Sequence, residues 1–244
     1  MRIDIITLFP EMCEAVLNES IIGRARSKGI VTLECHQIRD YAFDKHHRVD
    51  DTTYGGGMGM LMMAEPIALC YEDLTEKLGV RPHLVYLSPK GKVLTQQKVR
   101  ELAEYDNLAL LCGHYEGVDQ RVLDLYVDEE ISIGDYVLTG GELPALVLAD
   151  SVCRMIPGVL SDSLCFEDES HYSGLLEYPQ YTKPARWRER EVPEVLLSGH
   201  HANIERWRHE SALLETAARR PELLKKAELS EKDIKFLKEH GIIV

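Results

Sequence analysis

The segment Ile131 to Pro144, Ile-Ser-Ile-Gly-Asp-Tyr-Val-Leu-Thr-Gly-Gly-Glu-Leu-Pro, passes from a β-like run through a glycine-interrupted loop into an apolar helix. Such a loop binds small molecules through its main chain. Glycines leave no Cβ in the way, and exposed N–H and C=O groups read a flat heterocycle along its edge. The spacing excludes two common phosphate loops: a Walker loop needs Lys-Ser or Lys-Thr after its last glycine, and a dinucleotide fingerprint needs three glycines at fixed spacing. Two further loops, Tyr86-Leu87-Ser88-Pro89 and Gly113-His114-Tyr115-Glu116, each follow a candidate strand, and ligands of open α/β sheets collect at strand carboxyl ends. Taken alone, Ser88-Pro89 and Gly140-Gly141 serve equally as turn punctuation. A fourth glycine-rich stretch, Tyr54 to Met62 with Gly55, Gly56, Gly57 and Gly59, either lets main chain lie against a nucleotide or a second subunit or is a flexible loop. His46 and His47 with Asp44 and Asp50 share no ligand geometry on a predicted helix, so no metal site is expected there.

The elements that must position these loops follow from periodicity. Arg2 to Leu8 alternates as a strand, and a helix started by Pro10 carries Met12, Val16, Ile21 and Ile22 at roughly helical spacing. Val31 to Gln37, His83 to Leu87 and Leu108 to Cys112 read as strands, with helices at Pro66 to Leu78 and at Thr95 to Tyr105, the latter capped by Thr95. This alternation predicts an α/β domain with a mostly parallel sheet over residues 1–158. An apolar helix after Gly141 runs to about Met155, where Pro157-Gly158 ends it. Residues 159–173 are polar, acidic and aperiodic and read as a linker. A small all-helical domain is expected over 174–244, with helices at Asn203 to Ala218 and Pro221 to Ala227 and a last one opened by Ser230 and closed by Gly241.

The chain of 244 residues has a net charge of −13, which taken alone argues against nucleic acid. The charge is unevenly spread. Residues 101–150 hold 12 acidic side chains against Arg121 alone, whereas residues 181–226 hold ten Lys or Arg against seven Glu, interleaved with Trp187, Trp207, His200, His201 and His209. That second stretch suits RNA or a solvated helical face. Six cysteines without a Cys-x-x-Cys pair make disulfides or structural zinc unexpected, and a reducing cytoplasm fits. No run approaches the ~20 apolar residues of a membrane span, so no membrane partner is expected.

Three blocks, Ile131 to Pro144, Leu111 to Arg121 (Leu-Cys-Gly-His-Tyr-Glu-Gly-Val-Asp-Gln-Arg) and Leu175 to Pro184 (Leu-Leu-Glu-Tyr-Pro-Gln-Tyr-Thr-Lys-Pro), are similar in order and spacing to the bacterial tRNA (guanine-N1)-methyltransferases of the SPOUT class. The resemblance covers nearly the whole chain. It implies an α/β domain threaded into a trefoil knot, a homodimer, a tRNA substrate methylated on the guanosine just 3′ of the anticodon, S-adenosyl-L-methionine as methyl donor, and a dependence on Mg2+. The residues it places at the cofactor are Tyr86, Leu87, Ser88, Pro89, Gly113, Tyr115, Glu116, Ile133, Gly134, Asp135, Tyr136, Val137, Leu138, Gly140, Gly141 and Pro144, with main chain around Ile133 and Leu138 on the adenine and Glu116 near the amino-acid end. The stretch Ser198 to Arg208 resembles the family's RNA-binding segment: Ser198, Gly199, His200 and His201 precede or open a helix, and Arg206 and Arg208 add cations. Thr182 and Lys183 join that surface, with Lys183 standing where the family commonly has Arg.

Methylation of guanine N1 needs a base for its proton and a cation or donor facing O6. Arg154 matches the family's essential arginine; its bland role is a surface arginine at a helix end. Counting back five residues from Gly174 lands on Glu169-Ser170 where the family has Asp-Ser, which makes Glu169 the candidate base and Asp168 the alternative, against an ordinary solvated acidic linker. Two other functions stay open: a non-catalytic RNA-binding or regulatory protein of the same fold, favoured by Glu in place of Asp, and a methyltransferase acting on ribosomal RNA, against which the tRNA-binding motifs speak.

Overall fold

The computed structural model describes residues 1–160, 170–171 and 174–243 and divides into two compact units, residues 1–161 and 162–244. The first unit runs β1 (Arg2–Thr7), α1 (Pro10–Leu17), α2 (Ser20–Ser27), β2 (Thr32–Gln37), β3 (Asp50–Thr52), β4 (Met60–Met62), α3 (Ala64–Leu78), β5 (His83–Val93), α4 (Gln96–Leu102), β6 (Asn107–Cys112), α5 (Gln120–Tyr126), β7 (Glu129–Ser132) and α6 (Glu142–Cys153). Five strands form one parallel sheet in the order β2-β1-β6-β5-β7, and β3 and β4 form a separate antiparallel pair.

Period-two alternation places apolar side chains on both faces of the sheet, as a parallel sheet covered on both sides requires. Ile3, Ile5, Val85, Leu87, Leu108 and Leu110 pack on one side with α1, α2, α4 and α6. Ile6, Leu84, Tyr86, Ala109 and Leu111 pack on the other with α3 and α5. Thr95 caps α4 by accepting from Lys98 N–H at 3.3 Å. The expected Pro10 helix is instead two helices. The break at Asn18–Glu19 resets the helical phase, so Cys13, Leu17, Ile22 and Ala25 are buried while Met12, Val16 and Ile21 are exposed.

The strand expected to end at Leu87 continues to Val93 through a register break, in which Leu87 and Lys92 both pair with Ile131 and residues 88–91 loop out. Pro89 lacks the N–H that a ladder needs. Gly91 is required where the chain returns, because a Cβ there would lie 2.4 Å from the Glu130 carbonyl carbon.

The second unit holds β8 (Arg186–Trp187) and β9 (Arg190–Glu191) as a short hairpin, then α7 (Glu194–Leu197), α8 (His201–Arg219), α9 (Pro221–Leu224) and α10 (Glu231–Glu239). An all-helical domain was the expectation; the hairpin is the departure, made by residues whose charges gave no period. Leu175, Ala212, Leu213, Leu224 and Leu237 form its core. Ser230 and Asp233 make a reciprocal capping box at the start of α10, and Gly241 takes φ +75° after its end.

One buried charge in β1 contributes to acid stability. Asp4 is fully buried, accepts from Arg2 Nε and Nη2 at 2.8 Å and lies 2.7 Å from His36 Nε2. Burial pushes its carboxyl up, but the hydrogen bonds from His36 and Arg2 outweigh that and hold it below the usual carboxylate range. A depressed folded-state pKa contributes stability that is present above the unfolded value of ~4 and is lost as pH falls through the folded value. Asp4→Asn should therefore cost about 1 to 3 kcal/mol at neutral pH, and urea unfolding should show that difference from the native chain shrinking as pH falls below ~4.

Candidate ligand-binding site

At the carboxyl ends of β5, β6 and β7 three loops enclose a cavity of about 340 Å³, within the size of small-molecule sites. Of the residues expected at a cofactor, Tyr86, Leu87, Ser88, Pro89, Gly113, Tyr115, Glu116, Ile133, Gly134, Tyr136, Val137, Leu138, Gly140, Gly141 and Pro144 line it. Asp135 does not line it. Tyr136 N–H donates to Gly134 C=O at 2.9 Å across a three-residue turn, which leaves Asp135 exposed at the apex. Gly134 takes φ +149°, and Ser132 Oγ pins the turn by donating to Gly134 C=O at 2.9 Å.

The floor of the cavity is a main-chain junction. Gly141 N–H donates to Gly113 C=O at 2.8 Å, and a Cβ on Gly141 would stand 2.7 Å from Cys112 Cα. The next residue, Glu142, is 3% exposed at the first turn of α6 and accepts from Thr7 Oγ1 at 2.7 Å. The helix N-terminus suits that carboxylate. Burial, followed by the charge of Glu142, pushes the Cys112 thiol far above its ordinary range, so it is not a nucleophile at neutral pH.

Two polar groups on the cavity wall were not singled out from the sequence. His114 Nδ1 and Glu130 Oε2 are buried and have no hydrogen-bond partner among the described residues. Glu130 is the register partner of Tyr86, whose hydroxyl is pushed up to about 12 by burial and then by the Glu130 charge. The His114 ring lies tilted against Phe9 and edge-on to Tyr115, with centroids 5.0 and 4.8 Å away. His114 sat inside a motif already noted, and Glu130 was concealed in an acidic stretch whose charge alone marked no site. Tyr115 takes φ +57°, an uncommon conformation for a residue with a Cβ.

The glycine-rich hairpin reaches the same wall. Glu116 N–H donates to Met60 C=O at 3.0 Å, Met62 N–H donates to Gly117 C=O at 2.9 Å, and a Cβ on Gly59 would meet the Glu116 side chain at 2.5 Å. Gly55, Gly56 and Gly57 all take positive φ at the exposed tip. Arg154 is not brought to the cavity. It caps the far end of α6, whose first turn borders the cavity, so roughly 18 Å of helix separates them. Glu169 and Asp168 lie outside the described residues.

In the second unit Thr182, Lys183, Ser198, Gly199, His200, His201, Arg206 and Arg208 are all exposed. Gly199 takes φ +72° before α8, and Arg208 lies over the Tyr178 ring at 5.1 Å. One carboxylate and histidine group among the described residues is close enough to share a cation: Asp4, Glu34 and His36. Arg2 already bonds both of its carboxylates, and the group does not line the cavity. It was not anticipated, since only strand pairing joins residues so far apart in sequence.

A parallel sheet covered on both faces, with a glycine-walled cleft at its strand ends, defines a ligand-binding α/β protein. The family model described as tRNA (Guanine-1)-methyltransferase TrmD matches residues 1–226, and the chain belongs to that family. A protein of Ruminiclostridium cellulolyticum named tRNA (guanine-N(1)-)-methyltransferase is 56% identical over 93% of this chain and 97% of its own. Relatives of the same name from Desulforamulus reducens and Alkaliphilus oremlandii are each 53% identical over 98% of this chain and 94% and 98% of theirs.

Because the Gly141 contact is with backbone that has nowhere to retreat, Gly141→Ala should overpack the junction at a cost of about 1 to 3 kcal/mol. Thermal unfolding of the purified variant measures it; an unchanged midpoint would mean that α6 shifts freely.

Proposed function

We propose that this protein methylates N1 of the guanosine just 3′ of the anticodon in tRNA, working as a homodimer with S-adenosyl-L-methionine as methyl donor. The observation that carries the reading is the cavity itself: main-chain loops and buried, unpartnered His114 and Glu130 atoms in a chain of this family. These features fit a nucleoside with an amino-acid tail. Main chain from Ile133 to Leu138 faces the adenine, and Glu116 faces the amino-acid end.

The bound donor supplies an electrophilic methyl carbon on a sulfonium. The protein makes guanine N1 nucleophilic. Glu169 takes the N1 proton, with Asp168 as the alternative base, while the charge that spreads to O6 meets the planar donor fork of the Arg154 guanidinium. With the donor bound, the electron pair left on N1 would attack that methyl carbon and the thioether would leave. The family resemblance also implies Mg2+ for activity; among the described residues the one group close enough to share a cation, Asp4, Glu34 and His36, does not line the cavity.

Since Arg154 stands too far along α6 to reach the cavity of its own chain, a second copy supplies it. The exposed apolar residues Met12 and Val16 on α1 and Leu143 and Val147 on α6 give the copies a surface to bury. Among the described residues no helix is long and apolar enough to cross a membrane. RNA contacts come from Gly55, Gly56, Gly57 and Gly59 in one unit and from Thr182, Lys183, Ser198, Gly199, His200, His201, Arg206 and Arg208 in the other.

The direct test is transfer of labelled methyl to two tRNA transcripts, one with guanosine and one with adenosine 3′ of the anticodon. Label should appear on the first alone, and Glu169→Gln should reduce turnover at least ~100-fold with cofactor affinity unchanged. Label on neither transcript, or on ribosomal RNA alone, overturns the reading. A subunit-mixing experiment checks the shared site. Arg154→Ala and Gly140→Ala are each expected to be inactive, and their refolded mixture should regain about a quarter of native turnover, because half the dimers then keep one intact site; no recovery places Arg154 with its own cavity.

A further inference from the structure

Among the described residues the β8–β9 hairpin is an exposed aromatic and cationic feature of the second unit, and neither the unit's core nor the Ser198–Arg208 segment includes it. Arg186 pairs with Glu191 and Trp187 with Arg190, while Ala185 C=O accepts from Val192 N–H at 2.9 Å to close the base. Only Arg188 and Glu189 remain for the turn, and Arg188 takes φ +54°. That conformation, uncommon for a residue with a Cβ, accompanies a guanidinium carbon 4.5 Å from the Trp187 ring centroid. Trp187 is nevertheless 60% exposed.

An indole held in water beside guanidinium groups calls for a partner with both a flat π face and negative charge. From Thr182 to Glu191 the chain carries Lys183, Arg186, Arg188 and Arg190 against Glu189 and Glu191, and Trp187 is its one large apolar side chain. A protein partner would need far more contiguous apolar area than a single indole, on the order of 800 Å² a side. Unpaired RNA bases need only a stacking face with cations near the adjoining phosphates.

We infer that this hairpin is an RNA-contacting finger: Trp187 stacks on an unpaired base of the tRNA, and Arg188 and Arg190 meet the phosphates beside it. The inference rests on the tRNA reading above and adds a contact surface to it. Stacking tolerates any base, so the finger contributes affinity and positioning, while the choice of nucleotide rests with the cavity.

The chain has two tryptophans, so Trp207→Phe leaves Trp187 as the sole indole reporter in the full-length protein. Titration with a tRNA transcript, without cofactor, should quench its emission, and a blunt RNA duplex without unpaired bases should quench it much less. In steady-state methyl transfer Trp187→Ala should raise KM for tRNA about tenfold with kcat within about twofold, and Trp187→Phe should recover most of the loss. Arg188→Ala should lower the slope of log affinity against log salt by about one. Unchanged emission at saturating tRNA, equal quenching by the duplex, or a Trp187→Ala defect that tracks loss of dimer or of thermal stability would overturn the finger. If the unsubstituted protein methylates no tRNA, the functional reading fails on its own, while the emission titration still reports whether the hairpin touches RNA.

Discussion

The first unit is organised around a contact in which two stretches of main chain meet with no room for a side chain. Gly141 at the start of α6 lies against Cys112 and Gly113 at the end of β6, joined by a 2.8 Å hydrogen bond. This junction brings a helix N-terminus onto the carboxyl end of the central strand, buries Glu142 where Thr7 donates to it, and leaves the loop before α6 to fold back over the strand ends. The cavity is the space left under that loop.

Its other walls are held by equally local means. Ser132 Oγ and the three-residue turn at Asp135 shape the loop after β7, and the register break between Leu87 and Lys92 swings Ser88 and Pro89 out beside it. The β3–β4 hairpin adds main-chain hydrogen bonds to residues 116–119, so the glycine-rich tip and the Glu116 wall are mechanically one piece. The glycines of such a cleft let backbone present polar groups in fixed directions at little cost in side-chain entropy. The few side-chain atoms it leaves buried without partners, on His114 and Glu130, are costly unless a ligand meets them.

The arrangement also explains a division of labour. Within one chain, the residues that line the cavity all belong to the first unit. Chemistry at a guanine needs a base and an O6 partner, and Arg154 is carried to the other end of α6 by the geometry of a twelve-residue helix. Met12 and Val16 on α1 and Leu143 and Val147 on α6 stay exposed, the apolar surface that the proposed second copy would cover.

Much of this was legible in the residues. The alternation in Arg2 to Leu8 and the short apolar run Leu108 to Cys112 read as strands, the Thr95 and Ser230 caps located helix starts, and the glycines of residues 131–144 marked a place where main chain approaches something closely. These are local signals, set by propensity and by the absence of a Cβ, and they survive in a linear string. What only the tertiary structure decided required strands distant in sequence to be laid side by side. The phase of α1 and α2 depended on a break at Asn18–Glu19 that periodicity ran through, and the extension of β5 on pairing with β7. The roles of Glu130 and His114 appeared only when β5, β6 and β7 were aligned, because burial of an unpartnered polar atom is a property of its neighbours. The Trp187–Arg188 finger likewise needed the hairpin, since a run of alternating charges carries no signal of a tight turn until its strands pair.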